Sequence, residues 1–507
     1  STLTFSQDGV LDTSFGTNGI EKTDINDMSD VFSAIAVQDD GKIIVVGHTS
    51  LGSTANKESI ILRYNANGGL DTSFGNNGVI IAAYTTSYDT LNDVKIQDDG
   101  KIVVGGFEGL DFVLARYTAN GQLDTTFGTN GVVFTDFFQN IVGSTQDRIN
   151  ALAIQSDGKI LAAGYAHRTG NYHYAIARYN TDGSLDSSFG VGGKVVTNNL
   201  SGYKEIYDIA ITSDDKFYVV GETAPFGSAS YNNQTIVKFN SDGTIDTSFA
   251  INGVRYFDLN NNSKFEAIQI QDDGKLVIVG NRSAAMTIVR LTDNASYDNT
   301  FSGDGRSSPA LGAAASFGKS IWIQPDGKII VSGNMNDAVN TDAQSAIIRY
   351  LTNGELDTTF SDTGILKFLI GDGYQGGSFS AFQPNGKLIV GGDFNDSTSN
   401  SPDLYLYRLT TGVLSTDDFE KSSATVNVAP NPVKNILNLN LDLNNSNNLI
   451  SAVLYNINGQ KISILIENET LNSGRHNLSF DLSKLNFDQG FIVVQIGDYT
   501  KTIKILN

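Results

Sequence analysis

Short stretches in which apolar residues alternate with polar or small ones recur along the first 410 residues. In the first of these stretches Ile35 and Val37 are two positions apart, and a period of two predicts a strand with one buried face. The stretch ends at Asp40-Gly41, a dipeptide that favours a tight hairpin turn. Residues 42–47 then form an almost unbroken apolar run, which predicts a second strand buried on both faces.

Two further strands complete this unit. Residues 60–64 are apolar up to a closing Arg-Tyr pair and lead into the turn signal Asn67-Gly68. Residues 78–81 form a shorter apolar segment after Asn76-Asn77. Turn residues at both ends delimit each segment, so the unit is predicted to hold four antiparallel strands.

Sequence landmarks show that the unit occurs seven times. The string Asp-Thr-Ser-Phe-Gly, or a close variant, begins at Asp12, Asp71, Asp124, Asp186, Asp246, Asp298 and Asp357. A Gln-x-Asp-Gly-Lys string or its variant precedes each long apolar run. A cation follows in each third strand, at Arg63, Arg116, Arg178, Lys238, Arg290, Arg349 and Arg408. Seven repeats of four strands predict an all-β, seven-bladed β-propeller over residues 12–410.

A β-solenoid is the alternative architecture for such repeats. Solenoids need polar capping repeats at their ends, and the sequence shows none. Ring closure removes exposed ends without caps, so we favour the propeller. Ala250 and Ser302 replace the glycine after the repeated Phe, and residues 212–216 lack both the Gln and the turn Gly. These departures are expected to weaken the hairpin of the fourth blade without changing the architecture.

Residues shared by all seven repeats are predicted to serve the fold. The repeated Asp is expected to accept backbone N–H bonds at a turn, and the repeated cation to pair with a nearby carboxylate. The segment between the second-strand glycine and the cation varies in length, as surface loops do. Function is therefore expected where the repeats differ. The repeats resemble the delta-60 repeat family of bacterial surface proteins, which implies a propeller over residues 12–410.

The composition changes after Arg408. Residues 411–424 are polar and are interpreted as a linker, and residues 425–507 again show short strands with turns every 8–12 residues, which predicts a small Ig-like β-sandwich. Residues 429–433 (Ala-Pro-Asn-Pro-Val), 455–460, 490–494 and 501–505 resemble, in order, the motifs of the type A sorting domain of the type IX secretion system of Bacteroidetes. Ile492 stands where that family usually has an aromatic residue. The sorting-motif residues are Asn431, Pro432, Gly459, Gln460, Gly490, Lys501 and Lys504.

This resemblance implies an exported protein. It would pass through the periplasm and cross the outer membrane through the type IX translocon, with shuttle and sortase components contacting residues 425–507. A sortase usually removes the domain, so the chain is interpreted as the precursor form. The alternative is a binding sandwich with no sorting role. Residues 1–11 are either the remnant of a signal peptide or an ordinary strand.

Charge and composition narrow the classes of partner. The 507 residues carry a net charge of −21 and no cysteine, which argues against nucleic acid and anionic membranes as primary partners and removes thiolate metal sites and disulfides. No run of 18 apolar residues occurs, so no membrane insertion is expected.

Candidate chemistry is sparse. Tyr165, His167, Tyr172, His173 and Tyr174 form a candidate ligand loop; a metal site there and a solvated aromatic loop both remain open, and the second is favoured. Residues 313–320 match a loose P-loop pattern, but a strand follows at once instead of a helix. The segment starting at Asp258 imitates a calcium loop without its glycine and final Glu. No cofactor is expected, although weak Ca²⁺ binding by acidic loops stays open.

Trp322, the only tryptophan, is predicted to fill a gap between blades and not a ligand site. The sequence therefore favours a non-enzymatic cell-surface or extracellular propeller that binds a glycan or a surface protein in adhesion. A secreted glycosidase or lyase, which would need a non-repeated cluster of acids at one mouth of the channel, and a passive surface-layer spacer are the alternatives.

Overall fold

The computed structural model describes most of the chain. The described residues are 8–25, 27–50, 57–84, 88–138, 146–168, 170–197, 204–223, 233–257, 263–337, 343–370, 375–395, 401–411, 424–429, 436–443, 448–456, 461–483, 485, 489–496 and 499–506. The chain divides into two compact units, and the division after the last propeller strand falls between Thr411 and Gly412. Among the described residues there is no helix of the length and hydropathy needed to cross a membrane.

Seven four-stranded antiparallel sheets form the first unit, and the predicted seven-bladed propeller is confirmed. Strand β1 is Ile20–Thr23. Blade 1 consists of β2 (Asp30–Val37), β3 (Ile43–Ser50), β4 (Lys57–Tyr64) and β5 (Val79–Ala82). Blade 2 consists of β6 (Asp89–Ile96), β7 (Ile102–Glu108), β8 (Asp111–Tyr117) and β9 (Val132–Thr135). Blade 3 consists of β10 (Asp147–Ile154), β11 (Ile160–Arg168), β12 (Asn171–Tyr179) and β13 (Lys194–Val196).

The remaining blades follow the same order. Blade 4 consists of β14 (Lys204–Ile211), β15 (Phe217–Thr223), β16 (Asn233–Phe239) and β17 (Val254–Tyr256). Blade 5 consists of β18 (Lys264–Ile270), β19 (Leu276–Arg282), β20 (Ala285–Leu291) and β21 (Arg306–Ser307). Blade 6 consists of β22 (Ala313–Ile323), β23 (Ile329–Asp337), β24 (Ala343–Tyr350) and β25 (Ile365–Phe368). Blade 7 contains β26 (Gln375–Phe382), β27 (Leu388–Phe394) and β28 (Asp403–Leu409).

Strand β1 supplies the fourth strand of blade 7 and closes the ring. It pairs antiparallel with β28, from Ile20 opposite Tyr407 to Thr23 opposite Leu404. Residues before β1 also contribute, since Leu11 forms a bridge with Leu409. The edge of β28 is thus covered by the chain's own N-terminal part, which removes an unpaired sheet edge.

The hydrophobic core lies between neighbouring blades. The second strand of each blade is the long apolar run predicted from the sequence, and every residue of β3 is buried. The Phe of each Asp-Thr-Ser-Phe landmark is almost fully buried, as Phe74 and Phe127 show at 0 % exposure. Burial of each such ring contributes about 2–3 kcal/mol, and seven repeats of the same contact hold the ring together.

The residues that stand in place of the missing glycines adopt left-handed backbone conformations. Asp215 has a φ of 59° in the turn of blade 4, and Ala250 and Ser302 have φ of 47° and 50°. These are the positions that glycine occupies in other blades, where it adopts such angles without a Cβ penalty. The architecture therefore tolerates the departures, as expected.

The second unit is a small sandwich of two sheets. One sheet has the order β29-β30-β33 and the other β32-β31-β34-β35. The strands are β29 (Ala424–Ala429), β30 (Ile436–Leu443), β31 (Asn448–Asn456), β32 (Lys461–Leu471), β33 (Gly474–Asp481), β34 (Gln489–Ile496) and β35 (Tyr499–Leu506). Leu439 and Leu441 from the first sheet share one hydrophobic cluster with Leu454 and Ile492 from the second. Ile492, which stands where the sorting-domain family usually has an aromatic residue, is fully buried there.

Candidate functional site

The repeated Asp and cation form one structural motif in every blade. In blade 2 the Arg116 Nε lies 2.8 Å from Asp124 Oδ2, and Asp124 Oδ1 accepts bonds from the amide and the hydroxyl of Thr126. The Arg116 guanidinium lies over the ring of Phe127, 4.5 Å from its centroid. Both predicted roles, the turn acceptor and the carboxylate–cation pair, are confirmed in this geometry.

The same arginine ties its blade to the next one. Arg116 Nη1 donates to the carbonyl oxygen of Thr181 in blade 3, at 2.6 Å. The equivalent acceptors for Arg63, Arg178, Arg290, Arg349 and Arg408 are the carbonyls of Ala119, Ser241, Thr352, Thr411 and Ala66. Arg408 of blade 7 pairs with Asp12 at 2.7 Å, so the last cation finds the first aspartate through ring closure. These residues hold the fold and leave no free group for a ligand.

Blade 4 shows how the motif survives a substitution. Lys238 replaces the arginine and lies 3.9 Å from Asp246. The bond to the next blade comes instead from Arg255 on β17, whose Nη1 donates to the carbonyl of Ala295. An arginine guanidinium can bind the carboxylate and a second acceptor at the same time, whereas a lysine ammonium in the same ion pair leaves the second acceptor unbound. Here the neighbouring strand supplies the missing donor.

The central channel is where the blades differ. Its volume is about 750 Å³, and residues of the innermost strand of all seven blades line it. Every inner strand has a β-bulge at the same place, for example between Phe32 and Ala34 and between Ile206 and Asp208. A bulge adds one unpaired residue and redirects its side chain. The bulge residues are Ser33, Asn92, Asn150, Tyr207, Glu266, Lys319 and Ser378, and all but Ser378 line the channel.

We call these seven residues the bulge ring. The apolar pattern of the strands does not distinguish these residues, although the sequence carries a signal: each stands five positions before the Gln of the Gln-x-Asp-Gly-Lys landmark or, in blade 4, before Thr212. Aligned in this way, the repeats share a strand pattern but differ in residue type at the bulge. A residue type that changes from blade to blade is not required by the shared fold.

Hydrogen bonds and ion pairs connect the bulge ring over blades 2 to 6. Asn92 and Asn150 donate to the carbonyls of Ile149 and Ile206 in the next blades, at 2.6 and 2.8 Å. The Tyr207 hydroxyl donates to Glu205 at 3.1 Å or Glu222 at 2.9 Å.

Glu266 lies between Lys264, two residues earlier on the same strand, and Lys319, the next residue of the bulge ring. Lys264 Nζ is 2.7 Å and Lys319 Nζ is 3.1 Å from Glu266 Oε1. Burial alone would raise the pKa of Glu266, but the two ammonium groups outweigh it and lower that pKa below its usual value. Glu266 is therefore ionised and serves as an acceptor and a counter-charge, which is unsuited to a general acid.

A second set of channel residues includes Trp322. Its Nε1 donates to the carbonyl of Ser380 in blade 7 at 2.8 Å, and its ring meets Phe382 edge-on at 5.9 Å. The predicted contact between blades is present. Trp322 is half-buried and also lines the channel together with Lys319, so it offers an aromatic face to the channel, and the second part of the prediction, that it lies away from any possible ligand site, does not hold.

The candidate ligand loop is a β-hairpin. Its five residues lie on β11 and β12, where Tyr165 is opposite Tyr174 and His167 is opposite Tyr172. Tyr165 and Tyr174 are buried, at 7 % and 1 % exposure, and the Tyr174 hydroxyl donates to the carbonyl of Glu222. The rings of His167 and Tyr172 are 4.5 Å apart, whereas His173 packs on Phe138. The structure therefore divides the five residues between the blade core and a small surface cluster.

Two other patterns in the sequence have a clear position. Residues 313–320 form part of strand β22, so no helix N-terminus is available to cradle a phosphate, and Lys319 belongs to the bulge ring. Asp258 and the rest of the calcium-loop imitation up to residue 262 lie outside the described residues.

The sorting-motif residues are only partly described. Asn431, Pro432, Gly459 and Gln460 lie outside the described residues. Gly490 is buried in β34, and Lys501 and Lys504 lie on β35, where their backbones pair with Val494 and Phe491. β34 lies between β31 and β35, and β35 is at the edge of its sheet. Of these two terminal strands, only β35 presents a sheet edge.

Both units match models of known protein families. Six segments match the model described as a domain of unknown function (DUF5122) β-propeller, at residues 38–74, 97–127, 155–189, 212–249, 324–360 and 383–414. The fifth repeat, with Ala295 and Ser302 at glycine positions, is outside these segments. Residues 427–506 match the secretion system C-terminal sorting domain. None of the curated proteins matches the chain.

Several solved structures are similar to the chain at low identity. The β-propeller domain of the Trilobed protease from Pyrococcus furiosus has 11 % identity and a TM-score of 0.40, covering 75 % of this chain and 93 % of its own. The polysaccharide lyase Uly1 has 11 % identity and a TM-score of 0.41, covering 75 % and 90 %. The acylaminoacyl peptidase of Pyrococcus horikoshii has 11 % identity and a TM-score of 0.40, covering 82 % and 59 %.

Proposed function

We propose that this chain, which belongs to the DUF5122 β-propeller family and ends in a secretion system C-terminal sorting domain, is a type IX secretion cargo whose propeller binds a glycan in its central channel. The sorting domain supports export to the cell surface or the extracellular space. The route through the periplasm and the outer-membrane translocon, with recognition of residues 425–507 by shuttle and sortase components, is part of the proposal.

The observation that carries the binding function is the bulge ring. Seven blades of nearly identical build place five types of side chain at this one position, six of the seven residues line the channel, and those of blades 2 to 6 are already held by hydrogen bonds or ion pairs. Such preorganised side chains lose little conformational entropy when a ligand binds. A passive surface-layer spacer has no need of this variety.

The chemistry of the lining fits a hydroxyl-rich, uncharged ligand. Amides, a phenol and a carboxylate can accept and donate bonds to sugar hydroxyls, and Trp322 supplies an apolar face for the C–H side of a sugar ring. Glu266 is offset by Lys264 and Lys319, so the ring carries no large excess of either charge at that point. The volume of about 750 Å³ lies in the range of ordinary small-ligand sites and suits a short oligosaccharide.

A glycan-array screen of the full chain tests the proposal, followed by calorimetry with the best ligand. Trp322→Ala and Tyr207→Phe are expected to weaken binding by about tenfold or more, since each removes a stacking face or a hydroxyl. Arg282→Gln, at an exposed strand end, is the matched surface control and should bind normally. Failure of every glycan to bind, or equal binding by Trp322→Ala, would contradict a channel site.

A secreted glycosidase or lyase is the second candidate, and one contact favours it. The Tyr207 hydroxyl lies within hydrogen-bonding distance of both Glu205 and Glu222, which brings a phenol and two carboxylates together at positions that other blades do not share. Incubation of bound glycans with the chain, with products separated by chromatography, distinguishes the two functions. Cleavage that is lost in Tyr207→Phe would establish the enzyme, whereas intact glycans support binding alone.

A further inference from the structure

A buried polar residue lies near the start of each inner strand. It stands two positions before the residue that pairs with the glycine of the second strand. In blades 1 to 3 this residue is Asp30, Asp89 and Asp147, each 0 % exposed. Other blades have lysine, serine or glutamine there. The position belongs to the face of the propeller opposite the Asp-Gly turns, away from the bulge ring.

Two of these aspartates meet two further carboxylates. Asp30 lies with Asp24 and Asp403, and carboxylate oxygens of the three residues are within 4.8 Å of one another. Asp147 lies in the same way with Asp136 and Asp111. Among the described residues these are the only two groups of three that meet this condition. We call them the closure triad and the blade 2–3 triad.

The two triads are built from equivalent positions. Asp24 and Asp136 each follow the outermost strand of a blade directly, after Thr23 and Thr135. Asp403 and Asp111 each begin the third strand of that blade. The aspartate of the next blade completes the group. An arrangement that occurs twice at matching places is thus a feature of the blade junction and does not depend on one local loop.

The central aspartate of each triad is half satisfied. Asp30 Oδ2 accepts a bond from the amide of Ile25, and Asp147 Oδ2 accepts one from Phe137, both at 2.8 Å. The other oxygen, Oδ1, is buried without a hydrogen-bonding partner in both residues, and neither carboxylate has a lysine or arginine partner among the described residues. A buried, unpaired carboxylate is costly unless a cation or a proton compensates it.

Blade 7 provides an internal comparison. Gln375 stands at the same position, and its Oε1 accepts a bond from the amide of Ile370, as the aspartates do with Ile25 and Phe137. Its second polar atom is a donor, Nε2, which bonds to Ser345 Oγ at 2.7 Å. Where the chain uses a neutral side chain, both ends are therefore satisfied. Where it uses aspartate, the second end is an oxygen, which can only accept a bond and has no donor.

We propose that the closure triad and the blade 2–3 triad each bind one Ca²⁺ ion. The donors are carboxylate oxygens only, which suits a hard cation and excludes soft metals. Oxygens bound to Ca²⁺ at about 2.4 Å lie at most about 4.8 Å apart on opposite sides of the ion. The carboxylate oxygens of each triad all lie within this limit, and a site of carboxylates in flexible geometry suits Ca²⁺ better than Mg²⁺, which requires near-ideal octahedral coordination.

Bound Ca²⁺ would connect neighbouring blades. Each triad draws on the third and outermost strands of one blade and on the inner strand of the next. In the closure triad Asp24 follows β1, Asp403 begins β28 and Asp30 begins β2, so the ion would fix the N-terminal strand of the ring at the junction of blades 7 and 1. The dissociation constants expected for such a site outside the cell are about 0.1–1 mM.

Calorimetry of the full chain at pH 7.5, after removal of metal with EDTA, tests the proposal with CaCl₂ as the probe. Two ions per chain are expected, and millimolar Ca²⁺ should raise Tm by a few degrees over EDTA, with a smaller effect of Mg²⁺. Asp24→Asn and Asp136→Asn should each remove one site, and the double variant should remove both. Glu58→Gln, in the acidic junction of blades 1 and 2 that does not form such a triad, is the matched control and should retain two.

The wild-type protein alone can overturn the proposal, so the result does not depend on the variants folding. Absence of saturable Ca²⁺ binding and of any Tm shift would show that the central aspartates are compensated by protons instead. Two sites that persist in the double variant would place the ions elsewhere and would equally refute the assignment.

Discussion

At the scale of single residues, two kinds of side chain can be distinguished: those that recur in every blade and those that differ from blade to blade. Asp124 and its six equivalents were predicted as turn acceptors because Asp-Thr-Ser-Phe occurs in every repeat, and the structure agrees. The acceptor of Arg116 in the next blade could not be predicted, since the carbonyl of Thr181 carries no signal in its residue type. Backbone acceptors are visible only when the blades are in place.

The arginine bond between blades can be measured by a conservative change. Arg116→Lys retains a positive charge near Asp124 but loses the Nη1 bond to Thr181 and the Nη2 bond to Thr126. We expect the free energy of unfolding to fall by about 1–3 kcal/mol, because the acceptor carbonyl loses a charged donor. Denaturant unfolding provides the measurement. Lys238→Arg in blade 4 is the matched control and should change stability little, since Arg255 already bonds to Ala295.

Asp89 predicts a dependence of stability on pH. Burial raises its pKa to about 7, and the nearby carboxylates of Glu58 and Glu108 add to the rise. An unfolded Asp has a pKa of about 3.9, so between these values the folded state holds the extra proton. Stability from this group is present below pH 4 and is lost as pH rises towards 7.

The variant Asp89→Asn isolates that contribution. The asparagine keeps an oxygen that can accept the hydrogen bond from the Tyr84 amide, as Asp89 Oδ2 does, and it cannot ionise. We expect it to raise the free energy of unfolding at pH 8 by ~1 kcal/mol, less than the full pKa shift implies because of screening, and to change it little at pH 4. Asp98→Asn, in an exposed turn, is the control. A gain of equal size at both pH values would refute the explanation.

At the scale of elements, strands and turns followed from the sequence, but the bulges did not. The period of two around Ile35 and Val37 predicts an inner strand and its buried face. A bulge is defined by the register with the neighbouring strand, and one extra residue in a strand of eight leaves the apolar pattern readable as before. The residues that line the channel, including Tyr207, Glu266 and Lys319, therefore could not be predicted from the apolar pattern of one strand alone.

The turn after the repeated Phe tests the cost of a missing glycine. Ala250 has a φ of 47° and is exposed, so Ala250→Gly removes the strain of a Cβ in the left-handed region. We expect a gain of about 0.5–1 kcal/mol, since the relief exceeds the greater flexibility of glycine in the unfolded chain. Gly190→Ala in blade 3 is the reverse change at φ 53°, and its Cβ would come within 2.3 Å of the Lys194 carbonyl oxygen. Calorimetric unfolding should move in opposite directions for the two variants.

At the scale of the whole molecule, the number of repeats predicted a closed ring, but not the strand that closes it. The first landmark, Asp12, precedes β1, so the first repeat contributes its outermost strand to blade 7 and its other strands to blade 1. The pairing of β1 with β28, the Arg408–Asp12 pair and the Arg349–Asp8 contact at 2.7 Å all join the two ends of the propeller. Sequence spacing could not show this, because the ion pairs join residues 341 and 396 positions apart.

Export provides the last test, because the two units have separable tasks. The strands of the seven blades pair only with one another, and the sandwich has its own hydrophobic cluster. Deletion of residues 425–507 should therefore leave a folded propeller. In a host with a type IX system, that propeller is expected to accumulate in the periplasm instead of the medium, as measured by immunoblots of cell fractions. Fusion of residues 425–507 to an unrelated periplasmic protein should carry the fusion outside.

As a matched control, Arg475→Gln, an exposed residue of β33, should not affect export. Normal amounts of the truncated protein in the medium would show that the sandwich is dispensable for sorting, and a fusion retained in the periplasm would show that β35 and its neighbours are not sufficient as a signal.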